Sequence, residues 1–560
     1  MPTNASSDRP RRRRAPDRAA PMLETIPGLV VAAADRDPDG TWLRTDEGTL
    51  TFAGTAGQVA AIADQLRETG VRRRDLVVMT ARTAPPYLLT WLALASLGAV
   101  TVPTDPSGTP QEFAGLVSQV QPRALITDPA VMPVLNEAGV AGVPELGRID
   151  IDSLVGDWRA DVGSSSRLTV DVTPDDLAVL IPTSGTTGRS KLVMQTHRAY
   201  GMAGVGFPYW MELTASDRLM TSLPLFHINA PAYSVLGSLA CGAGLILLPR
   251  FSASGFLGSA RRHGATEFNA IGAMLEILMR QPARPTDADT ELRLCYTGPS
   301  PEREWQEAFE RRFGLRVVCG YAMSESPYGL IWRHGTRPFG TLGSPRQHPS
   351  LGTVNEARVV DETGNDLGVG ESGELLLRNP TVTPGYWGMP DETAAAIVDG
   401  WMHTGDLVTA NPDGTYTFVA RRKEVLRRRG LNLSPAEVED AILTHPDVLE
   451  VAVVGVASEL TEDEVKAFVV AEPGATLDFE ELRKWTAERI SAFKVPRFWQ
   501  QIDALPRTPT SRVAKHRLPT GHPPGEYDAD AASETGTASE TGTACETGTA
   551  SETGTADRND

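Results

Sequence analysis

The sequence predicts an α/β protein built from more than one domain. Three observations carry that expectation. The chain has 560 residues, more than one hydrophobic core serves. Short apolar runs alternate with helical stretches through its first half, which implies a parallel sheet with helices on its faces. Past residue 420 the pattern changes to a few Val-rich strands and two helices, a small α+β domain. Hydrophobic content of 41% and charged content of 22% are those of an ordinary soluble globular protein.

The elements follow in order. Residues 1–21 are polar and rich in Pro and Arg, and are expected to be disordered. Residues 23–35 read as a helix and 49–52 as a short strand. In 57–69, Val59, Ile62, Ala63 and Leu66 share one helical face. Strands at 76–80, 99–103 and 124–127 alternate with helices at 87–97 and 113–119. Asp152-Ser153-Leu154 matches the attachment tripeptide of a carrier protein, but it reads as a chance match in a loop. Residues 177–181 form a strand running into a polar loop, and 192–194 a strand leaving it. A small apolar helix at 230–240, a strand at 244–249, a helix at 274–279, a strand at 292–296 and a helix at 305–313 follow. Residues 361–364 make a hairpin turn, and a strand starts within 370–375. Pro435 opens a helix with acids in its first turn. Strands at 451–456 and 465–470 and a helix at 479–489 complete the second domain.

Charge and cysteine usage exclude several classes. The net charge is −18, and the tail from Gly521 on holds nine acids against one arginine. That balance argues against a nucleic-acid binder. The four cysteines, Cys241, Cys295, Cys319 and Cys545, have neither ligand spacing nor a disulfide framework, so a reducing, cytoplasmic setting is expected. No apolar run is long enough to span a membrane. The Arg-rich start lacks the apolar core of a signal peptide. The tail repeats Ala-Ser-Glu-Thr-Gly-Thr from Ala532, a low-complexity sequence that cannot build a core.

The loop from Pro182 to Lys191 is the chemical centre of the sequence. It packs two glycines, five hydroxyls and two cations into ten residues. Glycines bring backbone N–H groups close to an anion, and hydroxyls and cations add donors and charge. This is chemistry for gripping a polyphosphate. The common P-loop spacing is absent: Gly185 and Gly188 are three apart and a strand follows, not a helix.

Ser184-Gly185-Thr186-Thr187-Gly188-x-x-Lys191, after the apolar strand at 177–181, resembles the phosphate loop of the adenylate-forming superfamily. Its members are acyl-CoA synthetases, peptide-synthetase adenylation domains and luciferases. Further motifs follow in the family's order. Leu223 to Asn229 resembles the second motif, and the resemblance implies that His227 lines the acyl pocket; a lone His at a strand end is otherwise structural. Thr297-Gly298-Pro299-Ser300-Pro301 resembles the turn set against acyl group and adenine. Gly320-Tyr321-Ala322-Met323-Ser324-Glu325 matches Gly-Tyr-Gly-x-Thr-Glu. The match implies that Tyr321 stacks on adenine, Ser324 bonds the α-phosphate and Glu325 ligates Mg²⁺, with Gly320, Ala322 and Met323 beside the substrate. One carboxylate plus substrate phosphates is the usual way to hold Mg²⁺. Ala322 replaces the family's glycine and narrows the pocket floor.

Gly370 to Leu375 with Pro384-Gly385-Tyr386-Trp387, and then Trp401 to Asp406, resemble the next two motifs. The second implies that Asp406 accepts both ribose hydroxyls, a task that suits an ionised carboxylate. Ala420 to Glu424 resembles the inter-domain junction, with Arg421 on ribose or phosphate and Lys423 at the hinge. Arg427 to Pro435 resembles the loop lining the CoA tunnel. Gly430 is its diagnostic residue, while the arginines read equally well as a solvated basic face. The resemblance runs from about Ala56 to Leu518. It implies a large AMP-binding domain at 22–420, of stacked α/β sheets plus a β-barrel-like subdomain. A small, mobile α+β domain at 421–520, hinged near 423, and a disordered tail at 521–560 complete the arrangement.

The implied reaction joins a carboxylic acid to CoA through acyl-AMP, using ATP/AMP, coenzyme A and Mg²⁺. The pocket segments 227–233, 297–300 and 321–323 are mostly apolar and neutral, which favours a hydrophobic or aromatic acid. One motif departs from the family. Before its end an acyl-CoA synthetase carries Pro-x-Thr-x-x-Gly-Lys, whose lysine bridges carboxylate and α-phosphate during adenylation. Here Ser511 stands for the glycine and Arg512 for the lysine. Losing one such donor costs about 10² to 10³ in rate, and a guanidinium is not a compact ammonium. The expectation is an enzyme that mainly converts acyl-AMP and CoA to acyl-CoA and AMP, on an adenylate supplied by a separate adenylating enzyme. One alternative is a complete ATP-dependent ligase that uses Lys515 or Arg512. Another is a stand-alone adenylating enzyme serving a carrier protein.

Overall fold

The computed structural model describes residues 25–140, 146–160, 168–183, 191–298, 300–348, 350, 353–422, 426–428, 431–457, 463–491, 494–507, 513–519, 521–523 and 525–529. Internal contacts divide the chain into two compact units, one ending at Val419 and the other beginning at Ala420.

The first unit holds three sheets. Six strands run in the order Arg148–Asp150, Ala124–Thr127, Leu76–Thr80, Val100–Pro103, Leu177–Thr183 and Lys191–Thr196. All neighbours are parallel except the last pair, an antiparallel hairpin around the polar loop. Alternate residues of one strand face two cores. Val77 and Met79 join the main core, and Val78 packs with Phe113, Leu116 and Val117. Burial on both faces explains why these strands are continuous apolar runs. The second sheet has nine strands, six of them parallel neighbours from Thr41–Thr45 through Gly244–Leu247, Arg218–Thr221, Glu267–Asn269 and Leu294–Thr297 to Arg316–Met323. The antiparallel strands Gly48–Thr51, Ser326–Ile331 and Ser344–Pro345 close its edges. The third sheet, expected to be barrel-like, is a five-stranded antiparallel arrangement centred on Trp401–Ala410.

Local chemistry moves several expected boundaries. The strand expected at 49–52 ends at Thr51, whose hydroxyl accepts from the Gly54 N–H at 2.9 Å and caps the helix Phe52–Glu68. That helix therefore starts five residues before the expected 57. A capping box between Thr109 and Glu112 starts the helix Pro110–Val120 three residues early. The tripeptide at 152–154 lies not in a loop but in the helix Ile151–Val155, where Asp150 accepts from the Ser153 N–H at 2.8 Å. The helix expected at 230–240 is a π-helical stretch, Ala230–Val235, followed by an α-helical one, Leu236–Cys241.

The second unit is α+β. Its sheet runs Val448–Ala457, Asp463–Ala471, Phe498–Gln501 and Tyr527–Asp528, with helices Pro435–Leu443 and Phe479–Ala487. Arg428, weighed above as part of a solvated basic face, is buried and paired with Glu464, and its Nη1 donates to the Val495 carbonyl at 2.8 Å. The sheet also has a strand beyond residue 520, the expected domain end. Tyr527–Asp528 is an edge strand paired with Phe498 and Trp499, and Asp528 takes both hydrogen bonds of the Arg497 fork at 2.9 Å. The fully buried Lys466 pairs with Glu526 and donates to the Gly521 carbonyl at 2.9 Å. The repeats beyond residue 529 and the first 24 residues lie outside the described set. Glu526→Ala would leave the Lys466 ammonium buried and unpaired, a loss of about 3–5 kcal/mol. The expected outcome is a correspondingly lower midpoint for the second unit in urea unfolding, with the first unit's transition unmoved.

Candidate active site

The edge strand Lys191–Thr196 carries the site in the first unit. Thr183 pairs with Lys191 as the last register of the hairpin, and the Thr183 hydroxyl donates to the Lys191 carbonyl at 3.2 Å. The loop residues between them, Ser184 to Ser190, lie outside the described residues. From its other edge the strand reaches two further motifs. The Gln195 side-chain amide donates to the Ser324 carbonyl at 2.5 Å. The Thr383 hydroxyl donates to the Met194 carbonyl at 2.5 Å, while its N–H donates to the Glu325 carbonyl at 2.7 Å. Met194 and Trp387 N–H groups complete the seam, bonding to Gly385 and Leu192 carbonyls at 3.0 and 2.9 Å.

This seam stacks three side chains. The Lys191 ammonium sits 4.4 Å from the centroid of the Tyr386 ring. The Tyr386 hydroxyl donates to Glu325 Oε1 at 3.0 Å. Burial, reinforced by the Glu325 charge, pushes the Tyr386 phenol above its usual pKa, so it stays a donor. Tyr386 belongs to a motif recognised in the sequence, but no role was read for it there. Its only sequence signal was the adjacent Pro384-Gly385.

A second pair fixes the other end. The Tyr321 hydroxyl donates to Asp406 Oδ2 at 2.5 Å and lies 3.8 Å from the Met323 sulfur. Asp406 is 1% exposed. It follows Gly405, whose φ of +70° is left-handed backbone that favours glycine. That turn coincides with a register shift between Glu374 and Leu376. Glu374 holds the bulge, accepting from the Gly405 N–H at 3.0 Å and contacting His403 Nδ1 at 3.1 Å. Glu374 was the second unassigned residue; it positions the backbone that presents Asp406.

The acyl-side segments also converge. A Cβ on Gly298 would lie 2.4 Å from the Gly320 carbonyl oxygen, so these two strand ends touch through backbone. The rings of Tyr233 and Tyr296 are 5.5 Å apart, and Asn269 donates to Asn229 at 2.8 Å. His227 is half-buried beside Phe226, ring centroids 4.5 Å apart. Ala322 is half-buried against the main core. Pro299 lies outside the described residues. One residue was missed entirely: Arg346, fully buried behind these segments. An isolated Arg in a loop of the sequence gives no sign of burial.

In the second unit, Arg421 is exposed at the end of the strand Tyr416–Arg421. Lys515 opens the turn Lys515–Arg517, and its ammonium pairs with Glu439 at 2.7 Å. Arg507 and Val513 form an antiparallel bridge at the base of the segment containing Ser511 and Arg512. Residues 508–512, with Lys423 and Gly430, lie outside the described residues.

A buried carboxylate next to a phenol hydroxyl, and a second carboxylate next to a cation-stacked phenol, suit a nucleoside phosphate. No group of three metal-ligating side chains exists among the described residues. One carboxylate such as Glu325 together with substrate phosphates is the usual way to hold Mg²⁺.

Comparisons with known proteins identify what the chain resembles. The AMP-binding enzyme model matches residues 30–387, and the AMP-binding enzyme C-terminal domain model matches residues 437–512. A crotonobetaine/carnitine–CoA ligase of Salmonella paratyphi A is 31% identical over 486 residues, covering 84% of this chain and 93% of its own length. Among solved structures, the anthranilate CoA ligase AuaEII with anthranoyl-AMP aligns with a TM-score of 0.79 at 22% identity, over 90% of this chain and 98% of that one. The o-succinylbenzoate CoA synthetase of Bacillus subtilis with AMP aligns with a TM-score of 0.76 at 25% identity, over 88% and 98%.

Removing the Tyr386 hydroxyl that donates to Glu325 tests the stack. Tyr386→Phe keeps the ring under Lys191 but deletes the donor. Outer-shell partners of metal-binding groups are worth about 10- to 100-fold in metal affinity. Calorimetric titration of ATP should show the Mg²⁺-dependent part of binding weakened by that factor, with metal-free nucleotide binding little changed.

Proposed function

Because the chain belongs to the AMP-binding enzyme family and is an acid–thiol ligase of the acyl-CoA ligase type, we propose that its main reaction is acyl-AMP + CoA → acyl-CoA + AMP. ATP/AMP, the acyl-adenylate and CoA are the family's reactants, with Mg²⁺ typical. The proposal concerns which half of the two-step sequence this chain performs well.

The observation that carries the reading is the ion pair of Lys515 with Glu439, taken with the sequence at Ser511 and Arg512. Adenylation brings a carboxylate against a triphosphate, and a cation between them stabilises the transition state. Arg512 supplies charge through a wider, planar group. The one nearby lysine that could stand in is already engaged by a carboxylate of its own unit. Thioester formation needs none of this. The CoA sulfur attacks the acyl carbonyl, the bond from the carbonyl carbon to the phosphate oxygen breaks, AMP leaves with the electron pair, and the thiol proton passes to solvent.

The first unit's residues serve both steps in this proposal. Asp406, aligned by Tyr321, takes the ribose hydroxyls, and the Tyr321 ring lies against adenine. Ser324 and Thr183 to Gly188, with Lys191, hold phosphate. Glu325, steadied by Tyr386, offers Mg²⁺ a ligand when triphosphate is present. His227, Gly298, Pro299, Gly320, Ala322 and Met323 border the acyl group. Arg421, Lys423 and Gly430 serve the small domain's turn toward the thioester step. A hydrophobic or aromatic acid remains the class that fits the neutral lining. A second reading takes the acid from the 31%-identical relative's name, crotonobetaine or carnitine, both trimethylammonium acids.

The test gives purified protein two feeds and measures acyl-CoA by mass spectrometry. One feed is a panel of carboxylic acids with ATP, Mg²⁺ and CoA. The other is the matching synthetic acyl-adenylates with CoA alone. Product from adenylates should exceed product from free acids by about 10²-fold or more, and Arg512→Lys should raise use of the free acid. Comparable product from both feeds would mean a complete ligase.

A further inference from the structure

Arg346 has no exposed surface. Its donors go to neutral oxygens: Nε to the Leu330 carbonyl at 3.1 Å, Nη1 to the Tyr233 hydroxyl at 2.9 Å and the Pro327 carbonyl at 3.1 Å, and Nη2 to the Tyr296 hydroxyl. Its guanidinium carbon lies 4.8 Å from the Trp210 ring centroid, 5.1 Å from that of Tyr233 and 5.5 Å from that of Tyr296. None of the ion pairs among the described residues includes Arg346. The positive charge is held by dipoles and ring faces and is not cancelled by a carboxylate.

Three aromatic faces with hydroxyl acceptors are the chemistry that recognises a quaternary ammonium. Here the chain's own guanidinium fills the cage. The cage also stands directly behind the acyl-side segments. Tyr233 ends the segment that begins at His227, Tyr296 precedes Thr297-Gly298, and a Cβ on Gly320 would lie 3.0 Å from Arg346 Nη2. A second cation brought against this wall meets an uncompensated like charge across a low-dielectric interior.

We propose that Arg346 is a specificity-determining residue: it excludes acids with a cationic distal group from the acyl pocket. The inference rests on the proposed acyl-adenylate site, and it separates this chain from a relative named for trimethylammonium acids.

Two isosteric probes test it. They are non-hydrolysable acyl-sulfamoyl adenosines, one bearing 4-(trimethylammonio)butanoate and the other 5,5-dimethylhexanoate, which replaces N⁺ by carbon. Calorimetry on the full-length protein reads binding without catalysis. Wild type should bind the neutral probe at least about tenfold more tightly. Arg346→Met should bring the two within about threefold, and Arg346→Lys, which keeps the charge, should preserve the preference. Equal affinities in wild type, or an unchanged ratio in Arg346→Met, would overturn the proposal. If Arg346→Met does not fold, Arg346→Gln, which removes the charge but keeps hydrogen-bond donors for the tyrosine hydroxyls, takes its place with the same expected and overturning ratios. Failure of AMP and both probes to bind would instead remove the adenylate-site reading and this inference with it.

Discussion

The site depends on one edge strand. Lys191–Thr196 is antiparallel to Leu177–Thr183, so only one of its backbone edges is used by the sheet. The free edge bonds to 385–387, and its side chains and carbonyls reach 324 and 383. Edge strands are usually a hazard because unpaired N–H and C=O groups invite other chains. Here the edge is covered by motif residues distant in sequence. The same seam fixes the base of the loop after Thr183, the Glu325 carboxylate and the Tyr386 phenol between them. A shift of this strand by one residue would reverse every side chain on it and remove Lys191 from the Tyr386 ring.

The third sheet solves a different problem. It holds a carboxylate, Asp406, that is almost wholly buried. A left-handed glycine and a bulge re-aim Asp406, and Glu374 satisfies the N–H that the bulge frees. Tyr321 then supplies a donor at 2.5 Å. The charge-assisted bond offsets part of the cost of burying the carboxylate. The Gly-Asp sequence makes the turn and places the carboxylate that Tyr321 pairs with.

Much of this was legible in the sequence. Strands buried on both faces, such as 76–80 and 124–127, announce themselves as continuous apolar runs, and the helix at 305–313 by its period. Motif residues such as Asp406 and Glu325 stood out because their chemistry is unusual in that order. Helix starts were less legible: caps such as Thr51 and Thr109 are single side chains whose partners are set by local geometry. Long-range polar contacts were not legible at all. Tyr386 on Glu325, Glu374 on Gly405 and Arg346 inside three aromatic rings join residues 31 to 136 positions apart in the chain. The tail's composition hid Tyr527–Asp528, because two residues of edge strand cannot outweigh a polar neighbourhood.

The account holds that the first unit retains a whole adenylate site while the adenylating lysine has been replaced in the second. Isotope exchange isolates that claim. Acid-dependent exchange of labelled pyrophosphate into ATP reports the reversible adenylation step without CoA. The account predicts exchange at or near background across hydrophobic and aromatic acids, with AMP and acyl-sulfamoyl adenosine still binding. Rapid acid-dependent exchange by the wild-type protein would contradict it.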